Sequence, residues 1–125
     1  MVGKAARVFG VIFILVGILG FVPAVMTEGR LLGLFPVSPL HNAAHILLGV
    51  WGVAVATSPS NAMMYFKLIA LIYAVLAVIG FFRPEITVAG MLLPLGGKDI
   101  ALHLVLALIA AYFGFMARPR MPAAA

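Results

Sequence analysis

AMMYFKLIALIYAVLAVIGFF, residues 62–82, is the stretch whose reading decides the fold. It carries a single charge, Lys67, and stops at Arg83-Pro84-Glu85. The hydrocarbon core of a bilayer is about 30 Å thick and takes roughly 20 apolar residues of helix to cross. By length and composition this stretch is such a span. Three more segments of the same kind lie outward from it. One runs from about Val8 to Val25, between Arg7 and Glu28. Another starts near Pro39 and ends near Ala56, before Thr57-Ser58-Pro59-Ser60-Asn61. The last runs from about Asp99 to Met116 and is closed by Arg118-Pro119-Arg120. Proline and glycine collect in the connections, as helix breakers should. Ser38-Pro39 reads as an N-cap followed by proline at the first helical position.

Composition agrees. Of 125 residues, 66% are hydrophobic and 9% charged, and the mean hydropathy is +1.26. A soluble domain of this size needs far more charge to cover its surface. The length supports one compact unit, residues 1–125, with no stretch polar enough for a separate catalytic domain. The chain has no cysteine, which removes disulfides and thiolate chemistry. A net charge of +5 could point to nucleic acid, but the eight basic residues are scattered at segment ends and form no stripe. Membrane anchoring explains them better, so nucleic acid is not expected as a partner. The basic start of the first segment (Lys4, Arg7) also fits a signal peptide. Its apolar stretch is long and no small-x-small cleavage site follows, so it reads as a retained span.

The chain repeats itself. Arg7, Gly10, Phe13, Gly17 and Gly20-Phe21 align with Lys67, Ala70, Tyr73, Ala77 and Gly80-Phe81 at a constant offset of 60. His41-Asn42-Ala43-Ala44-His45 aligns with Asp99-Ile100-Ala101-Leu102-His103 at an offset of 58. The expected fold is an all-α membrane protein of four transmembrane helices, built as two tandem repeats of a helical hairpin. Repeat one covers about residues 5–57 and repeat two about 62–117. Both units then point the same way, about a pseudo-two-fold along the membrane normal. Small-residue pairs (Gly10 with Gly17, Ala70 with Ala74, Ala107 with Ala111, Ala110 with Gly114) predict close helix approach. With four spans, Lys4, Arg7, Lys67, Arg118 and Arg120 share one side, without an acid. Arg30, Arg83 and Lys98 on the other side are balanced by Glu28, Glu85 and Asp99. The positive-inside rule places both termini in the cytoplasm.

Three histidines and one aspartate are the chemically suggestive groups. His41 and His45 share a helix face at i, i+4, and Asp99 and His103 repeat that spacing. Ionisable groups at membrane depth face inward and find partners. Three readings follow. The first is a polar clasp, in which the imidazoles and Asn42 hydrogen-bond across helices or to loop backbone. The second is a metal site, with His41, His45, Asp99 and His103 as ligands of a kind that Zn²⁺ accepts. Against it, Lys98 beside Asp99 can neutralise it, and Asp99 near a helix start can cap it. The third is axial ligation of a haem or a porphyrin-type pigment. Trp51 lies too deep for an interfacial anchor and is expected to pack between helices, whereas Tyr65 and Tyr112 are candidate anchors. No residue is a candidate for catalysis, since the chain lacks paired carboxylates, a plausible nucleophile–base set and a phosphate loop.

The pattern Gly17-Ile18-Leu19-Gly20-Phe21, Leu32-Gly33-Leu34-Phe35, Pro39-Leu40-His41-Asn42-x-x-His45-x-x-x-Gly49 and Asp99-x-x-Leu102-His103 resembles a family. It is the uncharacterised bacterial four-span group catalogued as domain of unknown function 4383, and the resemblance covers about Arg7 to Phe115. Where that family's second element often reads Asp-Asn, this chain has Ile100, which departs from a symmetric pair of asparagines. The resemblance implies a protein of the bacterial inner membrane and implies no activity. The expected role is a structural or accessory subunit in the lipid bilayer, docking on other membrane subunits or on itself. The alternative is a metal- or pigment-binding protein using the His/Asp cluster.

Overall fold

The computed structural model describes residues 1–28, 30–88 and 90–117. The tail cations Arg118 and Arg120 lie outside the described residues. The chain is mostly helical: α1 (Val2–Leu19), α2 (Pro39–Ala54), α3 (Pro59–Phe82) and α4 (Lys98–Ala111), the last continued by a π-helical turn over Tyr112–Met116. Three of these are long and apolar enough to cross a membrane, namely Val2–Leu19, Pro59–Phe82 and Lys98–Met116. Helix α2 has 16 residues, about 24 Å at 1.5 Å per residue, and is shorter than a full hydrocarbon core.

The helix boundaries follow local chemistry. Ser38 accepts a hydrogen bond from the backbone N–H of His41 at 3.1 Å, with Pro39 in the first turn, as the Ser-Pro pair predicts. The same device starts α3: Ser58 accepts from the N–H of Asn61 at 3.4 Å, so the helix begins at Pro59 rather than Ala62. Helix α1 is displaced from the expected Val8–Val25. It takes in Lys4-Ala5-Ala6-Arg7, all good helix formers whose long side chains can reach past a helix end to water. It ends before Gly20, because Pro23 cannot continue it, and Pro23–Val25 forms a single 3₁₀ turn.

The connections after α1 and α3 are not plain loops but carry short strands beside the mostly helical framework. Strands β1 (Met26–Thr27), β2 (Arg30–Leu31) and β3 (Phe35–Pro36) form a small antiparallel sheet. Strands β4 (Glu85–Val88) and β5 (Met91–Pro94) form a hairpin, with Glu85 opposite Pro94 and Val88 opposite Met91. Gly90 takes φ +78° in its tight turn, a conformation open to glycine at no steric cost.

Helix α1 packs along α2, and α3 along α4. The α1–α2 seam is built on small residues at seven-residue intervals. A Cβ at Gly3 would meet the Ala56 carbonyl, one at Gly10 would lie 2.5 Å from the Gly49 carbonyl oxygen, and one at Gly17 would lie 2.7 Å from the Asn42 carbonyl oxygen. The backbones are therefore in direct contact over the length of the pair, and a heptad spacing keeps one face on its partner. Between the pairs lies a core of aromatic rings and small residues, including Phe13, Tyr65, Phe66 and Tyr73. Tyr65 is buried and donates to the Leu48 carbonyl at 3.0 Å, so it ties α3 to α2 and is not an interfacial anchor. Trp51 packs edge-on against it at 4.8 Å, between helices as expected.

The distribution of side chains is the reverse of a soluble domain's. The buried polar set is His41, Asn42, His45, Asp99 and His103, while Ile12, Leu15, Leu47, Leu71, Val78, Leu108 and Phe115 are exposed. Water would penalise so broad an apolar surface and a core this poor in large aliphatics. Hydrocarbon around the helices removes that penalty and leaves close packing as the cohesive force.

Candidate functional site

The polar residues predicted from sequence gather at the end of the bundle that carries the strands. Cap geometry places His41, Asn42 and His45 in the first two turns of α2. The β4–β5 hairpin folds over them: β5 packs against α2, and the N–H groups of Leu95 and Gly96 both donate to the Pro84 carbonyl at 2.8 Å. Leu95 is held down on Gly80, whose missing side chain leaves room for the Leu95 backbone. Leu93 and Leu95 thereby roof a cavity of about 110 Å³ lined by His41, His45, Tyr73 and His103.

Inside it, rings meet rings. His41 and His45 stack at a centroid distance of 4.4 Å with planes 14° apart. His45 lies 5.0 Å from Phe13 and His103 lies 5.2 Å from Tyr73. Phe13 and Tyr73 touch each other edge-on at 5.8 Å, which links the two pairs through the middle of the bundle. The sequence aligned Phe13 with Tyr73 but did not identify them as ring partners of the histidines. That alignment was the signal that could have found them.

The structure brings three of the four candidate ligands together and leaves the fourth apart. His41, His45 and His103 share the cavity, and Asp99 is not in its wall. Asp99 is fully buried in the first turn of α4, with neither carboxylate oxygen hydrogen-bonded. It does not cap the helix either, since the N-cap is Gly97 and no side chain caps that end. Arg30 on β2 is the cation whose charge reaches it. Asn42 is buried against Gly20, and its Oδ1 has no partner. Nor do His45 Nδ1 and His103 Nδ1 have one. Among the described residues, these five atoms make no direct hydrogen bond between the hairpins.

The cofactor readings can be tested on the same geometry. A metal lies in the plane of each imidazole that binds it, and parallel stacked rings direct their lone pairs side by side instead of toward one point. Among the described residues no three His, Asp or Glu side chains are placed to hold a metal ion. A porphyrin fits no better. Small-molecule and cofactor pockets run to roughly 300–1,000 Å³, against about 110 Å³ here. The histidine rings are also buried in the bundle and do not reach its outer surface. What the arrangement can do is donate and accept hydrogen bonds within a small, mostly apolar space. Among the described residues, its wall offers the Tyr73 hydroxyl and no carboxylate.

Comparison with known proteins identifies a family. The family described as Domain of unknown function (DUF4383) matches residues 4–116. No curated protein and no solved structure matches the chain.

Proposed function

We propose a role that starts from one fact: the chain belongs to the DUF4383 family. In this reading it is a four-span protein of the bacterial inner membrane, with both termini cytoplasmic and two tandem hairpins. It acts as a structural or accessory subunit that docks laterally on a larger membrane complex.

Burial supports the repeat. The positions buried along α1 are Val2, Ala6, Gly10, Phe13 and Gly17, and their counterparts 60 residues on, Ala62, Phe66, Ala70, Tyr73 and Ala77, are all buried along α3. The buried positions of α2 at His41, His45, Gly49 and Gly52 map 58 residues on to Asp99, His103, Ala107 and Ala110, all buried along α4. Ile100 is the exception, half-buried where its counterpart Asn42 is buried. Helix α2, though short, keeps α1 company over its whole length and presents Leu47, Val50 and Val53 outward, an apolar stripe suited to lipid. A span a few ångströms short is accommodated by local thinning at modest cost. Lys4, Arg7 and Lys67 at the end away from the strands support the cytoplasmic side.

One observation carries the docking role. Between α3 and α4 an outward-facing groove of about 380 Å³ is floored by Ala70, Ala74, Ala107 and Ala111 and edged by Leu71, Leu104 and Leu108. Small residues let a neighbouring helix approach closely, and in lipid that approach is the main source of helix–helix affinity. The protein offers a partner little besides such faces.

Native mass spectrometry of the tagged protein, taken gently from its own membranes, tests this. The expected spectrum contains the 13.2 kDa chain together with the mass of larger subunits. The chain alone, or only in multiples of itself with a reproducible added mass of metal or pigment, would remove the accessory role.

A further inference from the structure

We propose that the groove between α1 and the π-helical turn at the end of α4 holds an acyl chain of an anionic phospholipid, whose phosphate sits at Lys4 and Arg7. The groove measures about 430 Å³ and is lined by Lys4, Ala5, Val8, Phe9, Tyr112 and Phe113, a volume within the range of small-molecule sites. Its base is fixed. Phe9 and Phe113 both rest on the buried ring of Phe66, at 5.4 and 5.1 Å between centroids, and Tyr112 meets Phe113 edge-on at 5.2 Å. The turn is closed by the N–H of Ala117 donating to the Tyr112 carbonyl at 2.8 Å, and π turns of this kind are frequent at functional sites. The duplication shows what this groove lacks. Sixty residues on from Lys4 and Ala5 stand Met64 and Tyr65. The Tyr65 ring is buried and fills the junction of α3 with α2, edge-on to Trp51. Ala5, at the junction of α1 with the end of α4, is too small to do the same, and the groove is what remains.

Chemistry and charge select the occupant. The surface of the groove is apolar, as an acyl chain requires, and it is bounded by the rings of Phe9, Tyr112 and Phe113. The α3–α4 groove, by contrast, has an alanine floor that admits a helix; this one suits a flexible chain. Lys4 and Arg7 are exposed and three residues apart, so they are neighbours on the surface of α1. The three acids of the sequence, Glu28, Glu85 and Asp99, all belong to the strand-bearing end. A phosphate at the Lys4 end therefore meets cations that no acid offsets. Packing of the chain alone gains little over the surrounding lipid, which is equally apolar. Selectivity comes from the phosphate, at about fivefold for each Lys or Arg near the membrane surface. The site rests on α1 and α4 spanning the bilayer and not on the accessory role.

Native mass spectrometry of the full chain in detergent, titrated with phosphatidylglycerol or with phosphatidylcholine of the same acyl chains, tests the site. In the wild type the first phosphatidylglycerol is expected to bind at least about tenfold more tightly than the first phosphatidylcholine. The Lys4→Gln, Arg7→Gln double variant, altered only at exposed positions, is expected to bind the two lipids almost equally. Lys98→Gln removes a cation at the opposite end and is expected to keep the wild-type preference. Ala5→Tyr, which copies the filled junction of α3 with α2, is expected to lose the tight adduct while keeping the wild-type far-ultraviolet circular dichroism. Equal affinity for the two lipids in the wild type would overturn the site, as would a preference that survives the double variant or is lost equally in Lys98→Gln. A tight adduct retained by Ala5→Tyr, or displaced by equimolar inorganic phosphate, would overturn the acyl-chain groove. Partner subunits found in native membranes together with equal lipid affinities would leave the accessory role standing and remove the site; lipid preference without partners would do the reverse.

Discussion

Gly10→Leu is expected to abolish the folded bundle, while Val11→Leu next to it leaves the protein intact. The nearest atoms to a Cβ at Gly10 are the Gly49 carbonyl oxygen at 2.5 Å and the Val53 amide nitrogen at 2.8 Å. Both belong to the α2 backbone and cannot turn aside as a flexible side-chain end would. The relation is reciprocal, since a Cβ at Gly49 would lie 2.5 Å from the Gly10 carbonyl oxygen. Even Gly10→Ala must separate the helices. Overpacking of that kind costs about 1–3 kcal/mol, set against roughly 1 kcal/mol gained in helix propensity, so a modest net loss is expected. Leucine brings three further carbons into the same contact, and the seam cannot close. Val11 is 44% exposed on the outer face, where a change within ±0.5 kcal/mol is usual. Size-exclusion profiles of the fluorescently tagged protein after graded heating read the difference. A monodisperse, wild-type-like peak for Gly10→Leu would contradict the direct backbone contact.

Leu108→Arg is expected to be nearly as damaging, for the opposite reason. Leu108 is 71% exposed and lies near the middle of the Lys98–Met116 apolar stretch. In water an exposed leucine-to-arginine change is almost neutral. At the centre of a transmembrane helix arginine costs about 2.5–3.5 kcal/mol on the insertion scale, or roughly a hundredfold in the membrane-inserted fraction. The variant is expected to accumulate in membranes at a small percentage of the wild-type level, with Thr87→Arg on exposed β4 as the tolerated control. Wild-type levels of Leu108→Arg, recovered without detergent, would mean that this face meets water.

These two positions show what a sequence of this kind discloses and what it hides. The apolar runs disclose themselves, because lipid requires about 20 such residues whatever else they do. Ser38-Pro39 disclosed its cap, since a hydroxyl followed by proline has few other uses. The duplication brought out Gly10 and Gly17, but not the third member of their series, Gly3, which lay outside the expected span. The strands were hidden. Two to four residues such as Met26–Thr27 are too short to show an alternating pattern, and their register depends on turns and on the helices that bring their ends together. Tyr65 was misread because an aromatic near a helix start fits an interfacial anchor and a core clamp equally well. Only the position of the Leu48 carbonyl decides between them. At the candidate site the spacing correctly put His41 and His45 on one face, and the tertiary fold brought His103 beside them. Spacing could not report that the rings stack, that Asp99 stays outside, or that β5 closes the roof. Those facts depend on rotamers and on contacts between elements far apart in sequence.

The central claim is that all four helices cross the membrane, with the strands on one side and the α2–α3 turn on the other. The chain contains no cysteine, so single introduced thiols report without background. Leu34→Cys, Ser60→Cys and Thr87→Cys place one at each connection, at exposed positions. Intact spheroplasts treated with a membrane-impermeant thiol reagent then give a three-part answer. The account predicts that positions 34 and 87 are labelled from outside and that position 60 is labelled only after the membrane is opened. Labelling of 34 and 60 together, with 87 protected, would show that α2 turns back without crossing, and would contradict the four-span bundle.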